Sequence, residues 1–320
     1  MSETRQALLR QLADGDFHSG EALGKALGVS RAGVWKQVEA LEALGLDVHR
    51  VRGRGYRLGR PLELLDERMI RHAANIAVDR LQVFDSIDST NAELMRAADS
   101  GATVAACFAE HQSAGRGRRG RNWVSPFGAN LYFSLSWPFE QLPPDFAALS
   151  LAMGVGARRV LQALGVGEVG LKWPNDIYLQ GRKLGGILLE MRGEPPGACR
   201  LVAGIGINVA MPDIAARGID QSWIDLHSAG HPVSRNALAA RLLDEWAGIL
   251  ETYEREGFAA FVDEWRAADV LAGADVVVHD RDAQWQGKAL GVAADGALEI
   301  EVGDERRRVI AGDVSLRKVA

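Results

Sequence analysis

The sequence predicts an α+β chain in three parts, and three observations carry that prediction. Residues 1–60 hold short helix-period segments followed by a basic Gly-Arg alternation. The middle alternates apolar strands, amphipathic helices and glycine-rich turns. From about Gly273 onward, short strands follow one another at turn spacing. The implied units are a winged helix-turn-helix over 1–62, an α/β domain with a mixed sheet over 63–270, and a small SH3-like β-barrel over 271–320.

Bulk properties narrow the classes. The 320 residues suffice for two or three domains, and 47% hydrophobic with 25% charged residues is ordinary for a soluble globular protein. The N-terminus is polar and no run of 18 apolar residues occurs, so a cytoplasmic protein without membrane contact is expected. Cys107 and Cys199 lie far apart and outside any CxxC pair, which argues against a structural metal site or a disulfide framework. The net charge of -5 is uneven: residues 1–60 carry +3 and the remainder -8. A basic end on an acidic chain suggests separate tasks.

At the N-terminus, Ala7, Leu8, Leu9 and Leu12 set a helix period. Ser19 is placed to cap a second helix and Ser30 a third, after the turn Gly28-Val29-Ser30. The third helix buries Val34, Val38, Leu41 and Leu44 and presents Ser30, Arg31, Trp35 and Lys36 at its exposed start. Alternation around Arg52-Gly53-Arg54 then predicts a basic hairpin. Helix, cap and hairpin together predict DNA binding, with the third helix in the major groove and Arg52 and Arg54 on phosphates. A three-helix bundle used for protein contact is the plainer alternative.

The middle opens with a linker and an amphipathic helix (Leu64, Leu65, Met69, Ile70), a strand at Leu81–Phe84, and a helix from Ser89-Thr90-Asn91. Ser89 and Thr90 are good caps, and equally hydroxyls offered to a ligand. Val104–Glu110 and Asn130–Trp137 read as core strands. Between them hangs Gly115-Arg116-Gly117-Arg118-Arg119-Gly120-Arg121-Asn122-Trp123, three glycines and four arginines without an acid. Such a loop suits a small anion or a nucleic acid, and suspension between two strands favours the small anion. Lys172-Trp173-Pro174-Asn175-Asp176 brings a cation, amide and carboxylate into one turn, and Lys183 precedes Gly185-Gly186 and an apolar strand. Gly204-Ile205-Gly206-Ile207-Asn208 ends another strand without the dinucleotide fingerprint. Ile214, Ile219 and Trp223 punctuate a surface stretch, and Asp295-Gly296 marks a hairpin in the C-terminal strands.

Taken in order, the arginine loop, the Lys172–Asp176 turn and the Arg182–Ile187 segment resemble the bifunctional biotin–protein ligases that also repress the biotin operon, over nearly the whole chain. The resemblance implies that biotin and Mg-ATP form biotinyl-5'-adenylate, whose acyl group passes to a lysine of the biotin carboxyl carrier protein. It implies a biotin site at Ser89, Thr90, Asn91, Gln112, Arg116, Gly117, Arg118, Lys183 and Gly186, with Arg118, Lys183 and Lys172 catalytic. It places ATP or adenylate at Arg119, Arg121, Trp123, Asn175, Asp176, Asn208, Ile214, Ile219, Trp223 and Arg317, with Mg²⁺ arriving on ATP. It further implies an adenylate-bound homodimer on biotin operator DNA. Alternatives are a ligase without operative repressor function, a purely transcriptional biotin sensor and a lipoate-type ligase.

Overall fold

The computed structural model describes residues 1–97, 104–141, 143, 145–193, 198–280, 283–310 and 315–318. Three N-terminal helices, α1 (Glu3–Leu12), α2 (Gly20–Leu27) and α3 (Arg31–Glu42), are each capped by a serine. The hydroxyls of Ser2, Ser19 and Ser30 accept from the amides of Arg5, Ala22 and Gly33, giving partners to donors the helices leave open. Gly28, at φ 65°, ends α2 in the left-handed conformation that a side chain disfavours. Leu8, Leu9, Leu12, Val34, Val38 and Leu41 are fully buried between the helices. Strands β1 (Val48–Val51) and β2 (Gly55–Leu58) pair antiparallel as the predicted wing.

This small core takes one residue from outside. Phe127, which follows the arginine loop by a few residues, is 4% exposed and belongs to the cluster of Leu8, Leu12 and Leu58. Leu62 and Leu64 of the linker pack against the same cluster. The linker helix α4 (Glu67–Ala73) begins at its cap Asp66, later than the apolar pattern from Leu64 suggests. Ile70 is buried, whereas Met69 is exposed.

The central sheet comprises β3 (Arg80–Phe84), β4 (Ala105–Ala109), β5 (Leu131–Phe139), β6 (Val169–Lys172), β7 (Asp176–Leu179), β8 (Arg182–Arg192) and β9 (Cys199–Ile207). Their order is β3-β4-β5-β9-β8-β7-β6, with β3 parallel to β4 and the other pairs antiparallel. Alternation along each strand divides the faces. Phe108, Leu131, Phe133, Leu135, Leu201, Ala203, Ile205 and Ile187 enter the main core, beside α6 (Leu149–Ala163) and α8 (Arg235–Glu256). Phe108 and Phe133 stack at 4.6 Å there, and Trp246 adds a third ring. The opposite face carries Tyr132, Ser134, Gly186, Leu188, Glu190, Val202, Gly204 and Gly206, with α5 (Thr90–Arg96) laid across one end. That second face, poor in bulk and rich in glycine, is the one left for a ligand.

A buried ion pair ties the linker to this domain. Arg235 and Glu110 meet at 2.7 Å with 5% and 3% side-chain exposure. Arg235 also donates to the carbonyls of Asn130 and Glu63, Glu110 accepts from the Leu65 amide, and Glu63 accepts from Ser234 and Asn236 at the start of α8. The short helices α7 (Asp213–Ala216) and α9 (Val262–Ala268) complete the domain.

The C-terminal strands are β10 (Asp275–Asp280), β11 (Ala283–Val292), β12 (Leu298–Val302), β13 (Glu305–Val309) and β14 (Ser315–Lys318). They form an antiparallel sheet in the order β13-β12-β11-β10-β14, with the expected hairpin at Asp295-Gly296. The indole of Trp173 is 1% exposed and donates to the Gly296 carbonyl at 3.1 Å, so the Lys172–Asp176 turn is braced by this sheet. Arg317 lies on β14 opposite Val277 in register; its side chain falls outside the described residues.

Candidate functional site

A cleft of about 930 Å³ opens on the glycine-bearing face of the central sheet. Ser89, Thr90, Asn91, Gln112, Arg116, Gly117, Arg118, Arg119, Arg121 and Trp123 line it from one side. Lys172, Asn175, Asp176, Lys183, Gly186, Asn208, Ile219 and Trp223 line it from the other. Residues separated by over a hundred positions in the sequence thus share one cavity. Ile214 is not among them: it sits on α7 and is 69% exposed. The short helix turns it to solvent while Ile219 and Trp223, beyond the helix, turn inward.

One group of side chains is neutral and densely hydrogen-bonded. The Ser89 hydroxyl caps α5 through the Ala92 amide at 3.5 Å. Thr90 donates its amide (2.9 Å) and its hydroxyl (3.2 Å) to Gln112 Oε1. Ser134 Oγ lies 2.7 Å from Thr90 Oγ1 and 2.6 Å from Asn91 Oδ1. Gln112 in turn donates to Ser125 Oγ, which donates to the Trp123 carbonyl. Capping and cavity lining therefore coexist at Ser89, whereas Thr90, the other cap the sequence offers, is the first residue of α5 and lines the cavity without capping the helix. Ser125 and Ser134 carry no motif. Ser134 is recognisable only once β5 is seen to alternate between faces.

The other group is charged. Lys183 Nζ is 2.8 Å from Asp176 Oδ1 and 5.6 Å from the centre of the Trp123 ring. Lys172 Nζ donates to Tyr178 Oη at 3.2 Å and lies 5.2 Å over that ring, and burial pushes the Tyr178 phenol up to about 12. Arg118 donates to Asn175 Oδ1 at 3.4 Å, and Asn175 is held to β8 by bonds to and from Ile187. The arginine loop has the form of a tight hairpin. Gly117 donates to the Arg121 carbonyl, Trp123 to that of Gly115, and Arg119 takes the left-handed conformation at φ 58°. That conformation is uncommon for a residue with a side chain, and it turns the loop back over the sheet.

Glycine is required at the floor. A Cβ on Gly206 would stand 2.4 Å from the Trp123 indole, and one on Gly204 2.0 Å from Asn91 Oδ1. Gly185, by contrast, packs against the Gly206 carbonyl rather than facing the cleft; Gly186 is the cleft residue of that pair. Of five buried side-chain polar atoms without a hydrogen-bond partner among the described residues, two, Trp123 Nε1 and Asn208 Oδ1, belong to residues of the cleft. Buried polar atoms are nearly always paired, so an orphaned donor and an orphaned acceptor beside a cleft mark places where a ligand would complete the bonding.

In the N-terminal unit, Lys36, Arg52 and Arg54 are exposed, and Trp35 is 46% exposed with the Arg50 guanidinium 5.9 Å from its ring. Arg31 pairs with Glu21, Arg54 lies over Phe17 at 4.2 Å, and the Ser30 hydroxyl is taken by the cap of α3. Among the described residues, no helix is long and apolar enough to cross a membrane, and no three His, Cys, Asp or Glu side chains gather as metal ligands.

Known proteins share this arrangement. The biotin/lipoate A/B protein ligase family matches residues 83–208, a helix-turn-helix domain matches 4–57, and a biotin protein ligase C-terminal domain matches 273–317. The bifunctional ligase/repressor BirA of Escherichia coli K12 is 42% identical over 97% of this chain and 96% of its own. The biotin–[acetyl-CoA-carboxylase] ligase of Mycobacterium tuberculosis H37Rv is 34% identical over 78% of this chain and 95% of its own. The biotin protein ligase of Aquifex aeolicus, solved in complex with biotin and ATP, superposes with a TM-score of 0.65 at 26% identity, covering 75% of this chain and 100% of that one. With the ligase core, the C-terminal domain and the N-terminal helix-turn-helix all matched in order, the chain belongs to the biotin–protein ligases, in the group that carries a DNA-binding domain.

Proposed function

We propose that the cleft joins biotin to ATP as biotinyl-5'-adenylate and then passes the biotinyl group to a lysine of the biotin carboxyl carrier protein. The observation that carries this reading is the division of one cleft into a neutral, hydrogen-bonded group (Ser89, Thr90, Gln112) and a cationic group (Lys183, Arg118, Lys172). A ligand with a neutral polar head and a carboxylate tail matches that division. A carboxylate oxygen attacks the α-phosphorus, the bond to the β-phosphate breaks, and pyrophosphate leaves. Lys183 and Arg118 orient the carboxylate and offset negative charge as it gathers at the α-phosphate. The acceptor amine then attacks the acyl carbon and AMP departs. Ordered hydrogen-bonding and positioning suffice; no covalent nucleophile from the chain is needed.

Asn208 and Asp176 suit a magnesium ion arriving on ATP, since oxygen donors are what that ion takes and Asn208 Oδ1 has no other partner. The ion would shield phosphate charge. Trp123, Ile219 and Trp223 cover the nucleotide side, and Arg119 and Arg121 add positive charge at the rim. Arg118→Gly removes a cation that holds the mixed anhydride. It is expected to let adenylate escape and label lysines of bystander proteins, read by avidin blot of a mixture with albumin. Labelling confined to the carrier would count against the retention role.

The helix-turn-helix of residues 1–62 is proposed to bind the biotin operator when the adenylate-bound chain dimerises, coupling repression to biotin supply. Replacing Lys36, Arg52 and Arg54 together with alanine removes three exposed cations and, with Arg54, its contact over the Phe17 ring. It should weaken the gel shift on the organism's biotin-gene promoter, cut the salt dependence of the remaining binding by about one ion per lost phosphate contact, and leave biotinylation intact. If the unaltered chain shifts no promoter DNA with biotin and ATP present, the ligase acts without an operative repressor function.

A further inference from the structure

Glu190 belongs to none of the motifs, yet it joins two parts of the cleft. On β8 it follows Gly186 and Leu188 on the cleft face. Its Oε1 lies 2.9 Å from Arg116 Nη1, and its Oε2 accepts from Asn91 Nδ2 at 2.8 Å. Asn91 is 4% exposed and leads on to Ser134 and Thr90. Its amide lies against β9, where only glycine at 204 leaves room for it. The guanidinium of Arg116 thereby faces a carboxylate instead of joining Lys183 at the charged group.

We propose that Glu190 is a positioning residue that moors the arginine loop: through Arg116 it pins the start of the loop to β8, and through Asn91 it fixes the hydroxyl network that meets the neutral head of biotin. The inference rests on the assignment of that group to biotin. The ion pair is half exposed on the arginine side, and such pairs add little to global stability. Its effect lies in pre-forming the loop, so that less order has to be gained when the ligand binds.

The test compares the full-length protein with Glu190→Ala, Glu190→Gln, Arg116→Gln and the double variant Glu190→Gln/Arg116→Gln. Glu190→Ala is expected to speed trypsin cleavage at the loop arginines of the ligand-free protein several-fold. It should also raise the biotin dissociation constant about tenfold, with an unchanged thermal unfolding midpoint. Glu190→Gln keeps an acceptor for Asn91 and should fall between Glu190→Ala and wild type. If Glu190 acts through Arg116, the double variant is no worse than the stronger single one. Unchanged loop cleavage and biotin affinity in Glu190→Ala, or fully additive single effects, would overturn the mooring. The cleavage arm needs no ligand. Failure of the wild type to bind biotin would therefore refute the biotin assignment separately.

Discussion

Lys183→Ala is expected to weaken biotin binding and to slow adenylation together, the latter by about 10²- to 10³-fold, the usual consequence of deleting one preorganised charge-stabilising donor. Lys183 supplies the cation that a carboxylate would meet, at 14% side-chain exposure and 2.8 Å from Asp176. Removing it does two things. The biotin carboxylate loses its partner, and the Asp176 carboxylate is left to repel both it and the phosphates. Isothermal titration with biotin and a pyrophosphate-exchange assay measure the two effects. Biotin affinity equal to wild type would contradict the assignment of Lys183 to the carboxylate. Lys183→Arg keeps the charge but not the ammonium geometry and should recover only part of the activity.

Arg235→Ala is expected to destabilise the central domain by about 3–5 kcal/mol, the range for stripping one member from a buried ion pair. Glu110 would keep its charge at 3% exposure with only the Leu65 amide beside it, and the carbonyls of Glu63 and Asn130 would lose their donor. Urea unfolding followed by fluorescence measures the loss. Replacing both partners with neutral residues of similar size is expected to cost less than Arg235→Ala alone, because no buried charge is stranded. A midpoint for Arg235→Ala within error of wild type would show that the pair does not hold the linker.

The motif residues were legible in the sequence because each contributes several functional groups from one short segment. Arg116 to Trp123, Lys172 to Asp176 and Lys183 announce charge, turn and glycine together, and all but Gly120 line the cleft. The serine caps of α1, α2 and α3 and the Asp295-Gly296 hairpin were equally readable, since their causes are local. Glu190, Ser134 and Tyr178 were not. Each is a single polar residue in a strand, and its meaning depends on which face it occupies and on what the neighbouring strand brings opposite. Register decides that, and register follows from distant pairings such as Leu188 with Gly204. Ile214 stands apart: the sequence groups it with Ile219 and Trp223, and one turn of helix leaves it exposed and outside the ligand-free cleft. Met69 likewise fits an apolar period but lies on the solvent side of α4.

Phe127 bears on how such chains can be recombined. Its ring completes the interior of the helix-turn-helix, and it sits four residues after Trp123 on the same strand of backbone. Cutting the N-terminal unit away would leave an aromatic side chain in water and a hole where it had been. A chimera that fits a foreign DNA-reading head onto this ligase would have to offer Phe127 a socket of matching shape, and Leu62 and Leu64 a greasy neighbour. The head and the enzyme are thus not two beads on a string, and substitutions on the exposed face of α3 disturb this shared interior less than exchange of the whole module.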